Sequence, residues 1–435
     1  MRKMRDSGIA WIGVIPQDWE IVRTKSLYCS AKEIAGDRAD DFERLALTLN
    51  GVIKRSKEDS VGLQPEKFSG YQILKKGELV FKLIDLENVA TSRVGLSPYT
   101  GIVSPAYIVL SKQSRAKDLV VRYSMYHFLS MWQREIFNQM GDNGVRSSLN
   151  AKELLNIPHP FPSIYEQKRI VTFLDAQCAE IDAVLEKTRA SIEEYKKLKQ
   201  AVITQAVTKG IRGDRPMKDS GIEWIGDIPK SWEVSSVRYI GQLQNGISKG
   251  GEFFGKGFPF VSYGDVYKNY ELPHSVSGLI DTTEDERATY SVEYGDIFFT
   301  RTSETIEEVG FSCVCKRSIP NATFAGFIIR LRPFCADEKI LTDYAKYYFR
   351  GEHIRAYLVK EMNLVTRASL GQTLLKGMSV IVPPKSVQKE IAEYLDDKCA
   401  DIDALVAKKQ QYLTEIENYK KSLIYEYVTG KKEVV

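Results

Sequence analysis

Catalytic signatures are missing from this chain of 435 residues. No GxGxxG opens a helix after a strand, and no GxxxxGK[ST] phosphate loop is present. No kinase, hydrolase or zinc-deaminase pattern occurs. The one Pro-Pro pair, Pro383-Pro384 in VIVPPKS, lacks the Asn or Asp and the aromatic that amino-methyltransferase motifs place around it. The four histidines, His127, His159, His274 and His353, stand at no metal-ligand or triad spacing. The six cysteines, Cys29, Cys178, Cys313, Cys315, Cys335 and Cys399, form no CxxC pair. Cys313 and Cys315 lie in an apolar run without a nearby histidine, so no metal site is expected. No apolar run approaches the roughly 20 residues of a membrane span, and MRKMRDSG has no apolar segment behind it to serve as a secretory signal. A reduced, cytoplasmic chain that binds rather than catalyses is the expectation. Charge of one sign is scarce as well. With 61 basic and 57 acidic residues, a net of +4, a nucleic-acid reader would have to gather positive charge on one face or borrow it from partners.

What the chain does have is repetition. Asp6–Glu20 (DSGIAWIGVIPQDWE) returns as Asp219–Glu233 (DSGIEWIGDIPKSWE), 11 of 15 positions identical at an offset of 213. Glu166–Gly210 returns as Val387–Gly430, at an offset of 221 that drops by one at the closing glycine. Long stretches with little mutual likeness lie between. The order is block, variable domain, helix, then the same again, which predicts two similar halves related by a pseudo-two-fold axis. Two unlike heads on a two-fold frame suit a two-fold ligand read at two places, and duplex DNA is the obvious one.

The helical repeats carry a heptad seam. Leu174, Cys178, Ile181, Leu185 and Ile192 mark it in the first, and Leu395, Cys399, Ile402, Val406, Leu413 and Ile416 in the second. Charged residues fill the positions between. Two such helices in one chain are expected to pair antiparallel as a rigid coiled-coil spacer, with Cys178 and Cys399 near opposite ends and unable to bridge. A dimerisation coiled coil is the bland alternative. Prolines at Pro158, Pro160, Pro162, Pro383 and Pro384 set the helix entrances, and Gly210 and Gly430 close the helices.

Residues 21–156 and 234–379 mix short strands with turns and helical pieces, an α+β pattern repeated under diverged surfaces. Gly77–Lys82 and Gly295–Thr300 read as equivalent turn-then-strand pieces, and Tyr107–Leu110 and Phe327–Arg330 as equivalent buried strands. Leu119–Met140 and Ile340–Glu361 read as helical. Arg146-Ser-Ser-Leu149 matches Arg367-Ala-Ser-Leu370. An arginine with small hydroxyls on a loop suits phosphate contact, against the plainer alternative of a local ion pair. Candidate DNA-binding residues are Lys82, Arg93, Tyr99, Arg146 and Ser148 in the first half. In the second they are Lys249, Lys256, Tyr263, Arg301, Thr302, Ser303, Arg367 and Ser369. The glycine-rich run Gly246–Gly257 is expected as a flexible loop that orders on a groove, or as a plain surface loop.

The repeated SGI-WIG-IP--W block, the repeated EQKRI/VQKEI helix start after prolines, and GDIFFTRTS together resemble the specificity subunit of type I restriction–modification systems, over essentially the whole chain. The resemblance implies two target-recognition domains, each reading one half of a bipartite asymmetric DNA sequence. It implies that the helices set the distance between the halves and dock two modification (methyltransferase) subunits, to which two restriction (translocase–nuclease) subunits are added. S-adenosylmethionine, ATP and Mg would belong to those partners, and none to this chain. The implied domains are residues 1–162 (block and first recognition domain), 163–210 (central spacer helix), 211–384 (block and second recognition domain) and 385–435 (final spacer helix). One departure stands out: Glu166-Gln167 opens the first helix but Val387-Gln388 the second, so only the glutamine carries across. A methyltransferase fused to its own recognition domain and a protein-only coiled-coil scaffold are the readings from other classes.

Overall fold

The computed structural model describes residues 2–59, 67–86, 93–140, 148–213, 215–303, 309–361 and 368–434. The chain forms two compact units, Met1–Arg189 with Gln411–Val435, and Ala190–Gln410. The two long helices, Ile164–Lys209 and Lys385–Val428, each contribute one stretch to each unit.

In unit 1 a four-stranded antiparallel sheet runs in the order Tyr28–Cys29, Ile108–Lys112, Leu79–Lys82, Arg93–Leu96. Unit 2 repeats it as Gly241–Asn245, Ile328–Pro333, Ile297–Thr300, Ser312–Val314. The strand alternation explains why both faces are covered. Leu79 and Phe81 point into a core with Leu110, Phe128 and Met131, while Val80 points the other way, to Leu45, Leu47 and Val52. Unit 2 does the same with Ile297 and Phe299 on one face and Phe298 on the other.

The expected helical stretches are each broken in two. Val121–Gln133 and Ile136–Met140 flank Glu135, whose left-handed φ of 57° ends the first. Thr342–Tyr348 and Glu352–Glu361 are separated at Arg350-Gly351. Two of the prolines before the first long helix, Pro158 and Pro160, lie inside a strand, Pro158–Phe161, which pairs with Glu20–Arg23 and ends before Pro162. A two-stranded ribbon leaves one edge of each strand free, where a missing N–H costs nothing.

The run Gly246–Gly257 is not a free loop. Phe254–Val261 is a strand beside Gly278–Ile280, and Ile247 bridges to Ala325. Two of its glycines serve close approach. A Cβ at Gly246 would lie 2.2 Å from the Ala325 oxygen, and Gly257, at φ +91°, would place one 2.6 Å from the Ile280 oxygen.

The long helices pair antiparallel within each unit. In unit 1 Ile170, Leu174 and Cys178 pack with Leu423, Ile424 and Val428, and Asp182 holds Lys420 at 2.6 Å. In unit 2 Lys199 meets Asp403 at 2.6 Å, and the Lys409 ammonium sits 5.5 Å above the Tyr195 ring. Of the seam, Leu174, Cys178, Leu185, Ile192, Leu395, Cys399 and Ile402 are buried. Ile181, Val406, Leu413 and Ile416 are half-buried. Gly210 and Gly430 end the helices at φ +82° and +69°.

The duplicated blocks cover the helix ends. Ile12, Ile15 and Trp19 pack on Ile424 and Val428 in unit 1. Ile225, Ile228 and Trp232 pack on Ile203, Ala206 and Val207 in unit 2. Tyr123 donates to the Val428 oxygen at 3.0 Å, and its counterpart Tyr344 to the Val207 oxygen at 3.1 Å. Cys313 and Cys315 lie in the unit 2 core, where burial pushes the Cys315 thiol up to about 12. Among the described residues no helix is long and apolar enough to cross a membrane.

Candidate nucleic-acid interface

In each unit the sheet-bearing fold is fixed to its helix by one buried glutamine. The Gln167 oxygen accepts from the Val120 N–H at 2.8 Å, while its amide donates to the oxygens of Asp118 (3.1 Å) and Pro162 (2.8 Å). Gln388 repeats the pattern: Leu341 N–H at 2.7 Å, Lys339 O at 2.9 Å, Pro383 O at 2.8 Å. The neighbouring carboxylates recur too, since Asp175 accepts from Tyr126 at 2.6 Å and Asp396 from Tyr347 at 2.7 Å. The preceding position does not recur. Glu166 accepts from the Trp19 indole at 2.9 Å and pairs with Arg2. Val387 cannot, and among the described residues the buried Trp232 indole N–H has no acceptor.

With the sheets so anchored, the end of the central strand meets the RxSL segment in both units. In unit 1 Ile84 bridges to Ser148, and Leu149 N–H donates to the Leu83 oxygen at 3.0 Å. In unit 2 Thr302 pairs with Ser369 and Ser303 with Ala368, and Leu370 N–H donates to the Arg301 oxygen at 2.7 Å. Buried Leu149 and Leu370 are the anchors that put the preceding hydroxyls at the sheet end. Each segment then turns into a short helix, Ala151–Asn156 or Gln372–Gly377. Asn150 caps the first by accepting from the N–H groups of Lys152 and Glu153.

These placements sort the sequence candidates. Lys82, Arg93 and Ser148 come together in unit 1, where Lys82 and Arg93 are cross-strand partners. Burial, and then the positive charge of Arg93, holds the Lys82 ammonium below its usual range. Tyr99 lies beyond the Leu79–Leu96 end of the same strand pair, with the Lys54 ammonium 5.2 Å above its ring. In unit 2 Arg301, Thr302, Ser303 and Ser369 come together. Tyr263 stacks on Tyr267 at 6.1 Å, and Tyr267 meets Phe311 edge-on at 5.1 Å, so an aromatic row leads to that strand end. Lys256 is exposed on the Phe254–Val261 strand. Lys249 is occupied inside its own unit, by Glu286 at 2.6 Å, the Asp281 oxygen at 2.9 Å and the Phe253 ring at 4.9 Å. Arg146 and Arg367 lie outside the described residues. The sequence reading missed Tyr267 and Phe311. The i, i+4 spacing of Tyr263 and Tyr267 was a signal for the former.

Residues 229–417 match the type I restriction modification DNA specificity domain. The chain is 24% identical over 429 residues to the MjaVIII type I restriction enzyme specificity subunit of Methanocaldococcus jannaschii, covering 97% of this chain and 94% of that one. It is 25% identical over 326 residues to the EcoKI specificity subunit of Escherichia coli K12, covering 73% and 67%. A solved chain from a study of complex assembly and conformational transition in a type I R-M system superimposes with a TM-score of 0.70. The superposition covers 96% of this chain and 99% of that one at 15% identity, which is a likeness of fold. Residues 229–417 thus match the family model of the type I restriction modification DNA specificity domain, and the chain as a whole is similar to the specificity subunits of type I restriction enzymes.

Proposed function

We propose that the chain recognises a bipartite, asymmetric DNA target, one half with each unit, and directs modification and restriction subunits of a type I complex to it. One observation carries the reading. The same backbone device, a central strand end joined to an RxSL segment, occurs in both units with different side chains around it: Lys82 and Arg93 in one, Arg301, Thr302 and an aromatic row in the other. Equal scaffolds under unequal chemistry are what two half-sites of unlike sequence require. The chain contributes recognition and no chemistry of its own. Two methyltransferase and two translocase–nuclease subunits would join it in the cytoplasm, with S-adenosylmethionine, ATP and Mg bound by them. The relatives are named as specificity subunits of restriction enzymes, which supports this division of labour.

The test is methylation-sensitive sequencing of a host carrying this chain and its methyltransferase partner, followed by duplex binding with and without that partner. Methylation at one split sequence, lost when the chain is removed, supports the reading. Methylation by the chain alone would make it a fused methyltransferase, and absence of DNA binding in the presence of the partner would leave a protein-only scaffold.

A further inference from the structure

We propose that Lys82, held against the Arg93 guanidinium on the neighbouring strand, is an acceptor-binding cation of the first recognition domain, taking either the O6/N7 edge of a guanine or phosphate oxygens. The inference rests on the DNA-reading function above and deepens it.

The two cations are register partners on adjacent antiparallel strands, the arrangement in which Cβ atoms lie about 4.5–5.5 Å apart and like charges destabilise a sheet. Both are half-buried. Among the described residues Lys82 makes neither an ion pair nor a hydrogen bond, and the attraction of exposed Asp85 is weaker than the repulsion from Arg93. A partly desolvated ammonium placed against a guanidinium is a cost to the fold. An acceptor-rich ligand removes it. Lys249 is the contrast inside the same chain, a cation likewise half-buried but saturated by its own unit.

The surroundings fit such a ligand. Ser148 stands beside Ile84, two residues beyond Lys82, and adds a hydroxyl on the same sheet end. Asp85 holds φ at 60°, a conformation most side chains avoid, which turns the chain sharply just past the pair. Unit 2 has no counterpart: its equivalent cross-strand positions are Thr300 and Phe311. Thr300 is fully buried, and its hydroxyl accepts from the Phe311 N–H at 2.9 Å. The cation pair therefore belongs to one half-site only.

The experiment uses the full chain with its methyltransferase partner, and Lys82→Gln, Arg93→Gln and Lys82→Arg variants. Thermal unfolding is measured on each, and binding to the methylated target sequence is titrated across salt. Lys82→Gln should weaken binding by about tenfold or more while leaving Tm unchanged or raised, because it removes a repelled charge. Lys82→Arg should restore binding. If guanine is the acceptor, the loss vanishes on duplexes altered at one guanine of one half-site. If phosphate is, the loss is uniform over sequences and the log–log salt slope becomes shallower by about 0.9. Undiminished binding by Lys82→Gln, or a loss matched by an equal loss of folded protein, overturns the inference alone. A wild-type complex that binds no duplex overturns the proposed function with it.

Discussion

Replacing Gln167 with Leu keeps the side-chain volume and removes every polar atom of the clamp. Three main-chain groups then lose their partner: the Val120 N–H and the Asp118 and Pro162 oxygens, around a side chain with no exposed surface. A buried polar group left unsatisfied costs about 1–3 kcal/mol. Some of the loss is recovered where a carbonyl reaches water, so a total of about 3–5 kcal/mol is expected. At roughly 2–4 °C per kcal/mol for a unit of this size, Tm should fall by about 6–20 °C. Because Gln388 makes the same three bonds at matching lengths, Gln388→Leu should cost the same to within about 1 kcal/mol. The assay is chemical denaturation of the full chain and each variant, followed by intrinsic fluorescence. A cost under about 1 kcal/mol for either variant, or a large cost for one only, would refute the view that these glutamines carry the junction between recognition fold and helix.

Other consequences follow from the same structure. His159 and His353 are held neutral by burial, at about 4 and about 3 against an ordinary 6.5, and His127 is shifted the same way. The native state therefore binds fewer protons than the unfolded chain below pH 6.5, so stability should fall as pH drops from about 6.5 towards 4, on the order of 3 kcal/mol for His159; a denaturation midpoint flat over that range contradicts this. Glu166→Val recreates the Val387 environment and strands the Trp19 indole, so unit 1 should lose about 1–3 kcal/mol, read as a lower Tm. Arg146→Ala and Arg367→Ala should each weaken duplex binding across all sequences and shallow its salt slope by about one phosphate contact; loss of folded protein with unchanged binding per folded molecule would make that arginine structural. Exchanging residues 21–156 for the matching segment of a relative should change one half-site in the methylation pattern, and a change in both would break the two-head reading.

The sequence exposed what is periodic or duplicated. The blocks, the strand pairs after Gly77 and Gly295, and the seam through Leu174 and Cys178 are legible because identity and spacing survive without any knowledge of contacts. Partnership over distance is not legible. Lys82 and Lys249 look alike as lysines near turns, yet Lys249 meets Glu286, 37 residues on, while Lys82 meets a second cation from the next strand. The aromatic row from Tyr263 to Phe311 is assembled from a helix and a strand far apart in sequence. Glycines misled for a related reason: those of Gly246–Gly257 suggested looseness, whereas two of them admit a neighbouring backbone. Gln167 and Gln388 were visible as a repeat, but only their burial among main-chain groups gives them a task.

The loss of glutamate at Val387 has a physical rationale in how the two junctions are built. In unit 2 the helix ending near Lys209 runs on through residues 210–216 into the block that covers it, so a tether of a few residues keeps Trp232 beside Val207. In unit 1 the corresponding helix end, Tyr427–Gly430, and the covering block Asp6–Glu20 come from opposite ends of the sequence. Only contacts and a closure of some 400 residues hold them, and the entropy of that closure grows with loop length. More bonds accordingly gather there. Tyr425 donates to the Ile12 oxygen at 3.1 Å, Lys431 to the oxygens of Ile12 and Val14, and the Arg134 guanidinium lies 3.6 Å from the centre of the Tyr425 ring. Glu166 adds to this set by holding Trp19 and Arg2 together. Where the chain itself supplies the connection, the indole can go without an acceptor and Val387 suffices; where it does not, the carboxylate is needed.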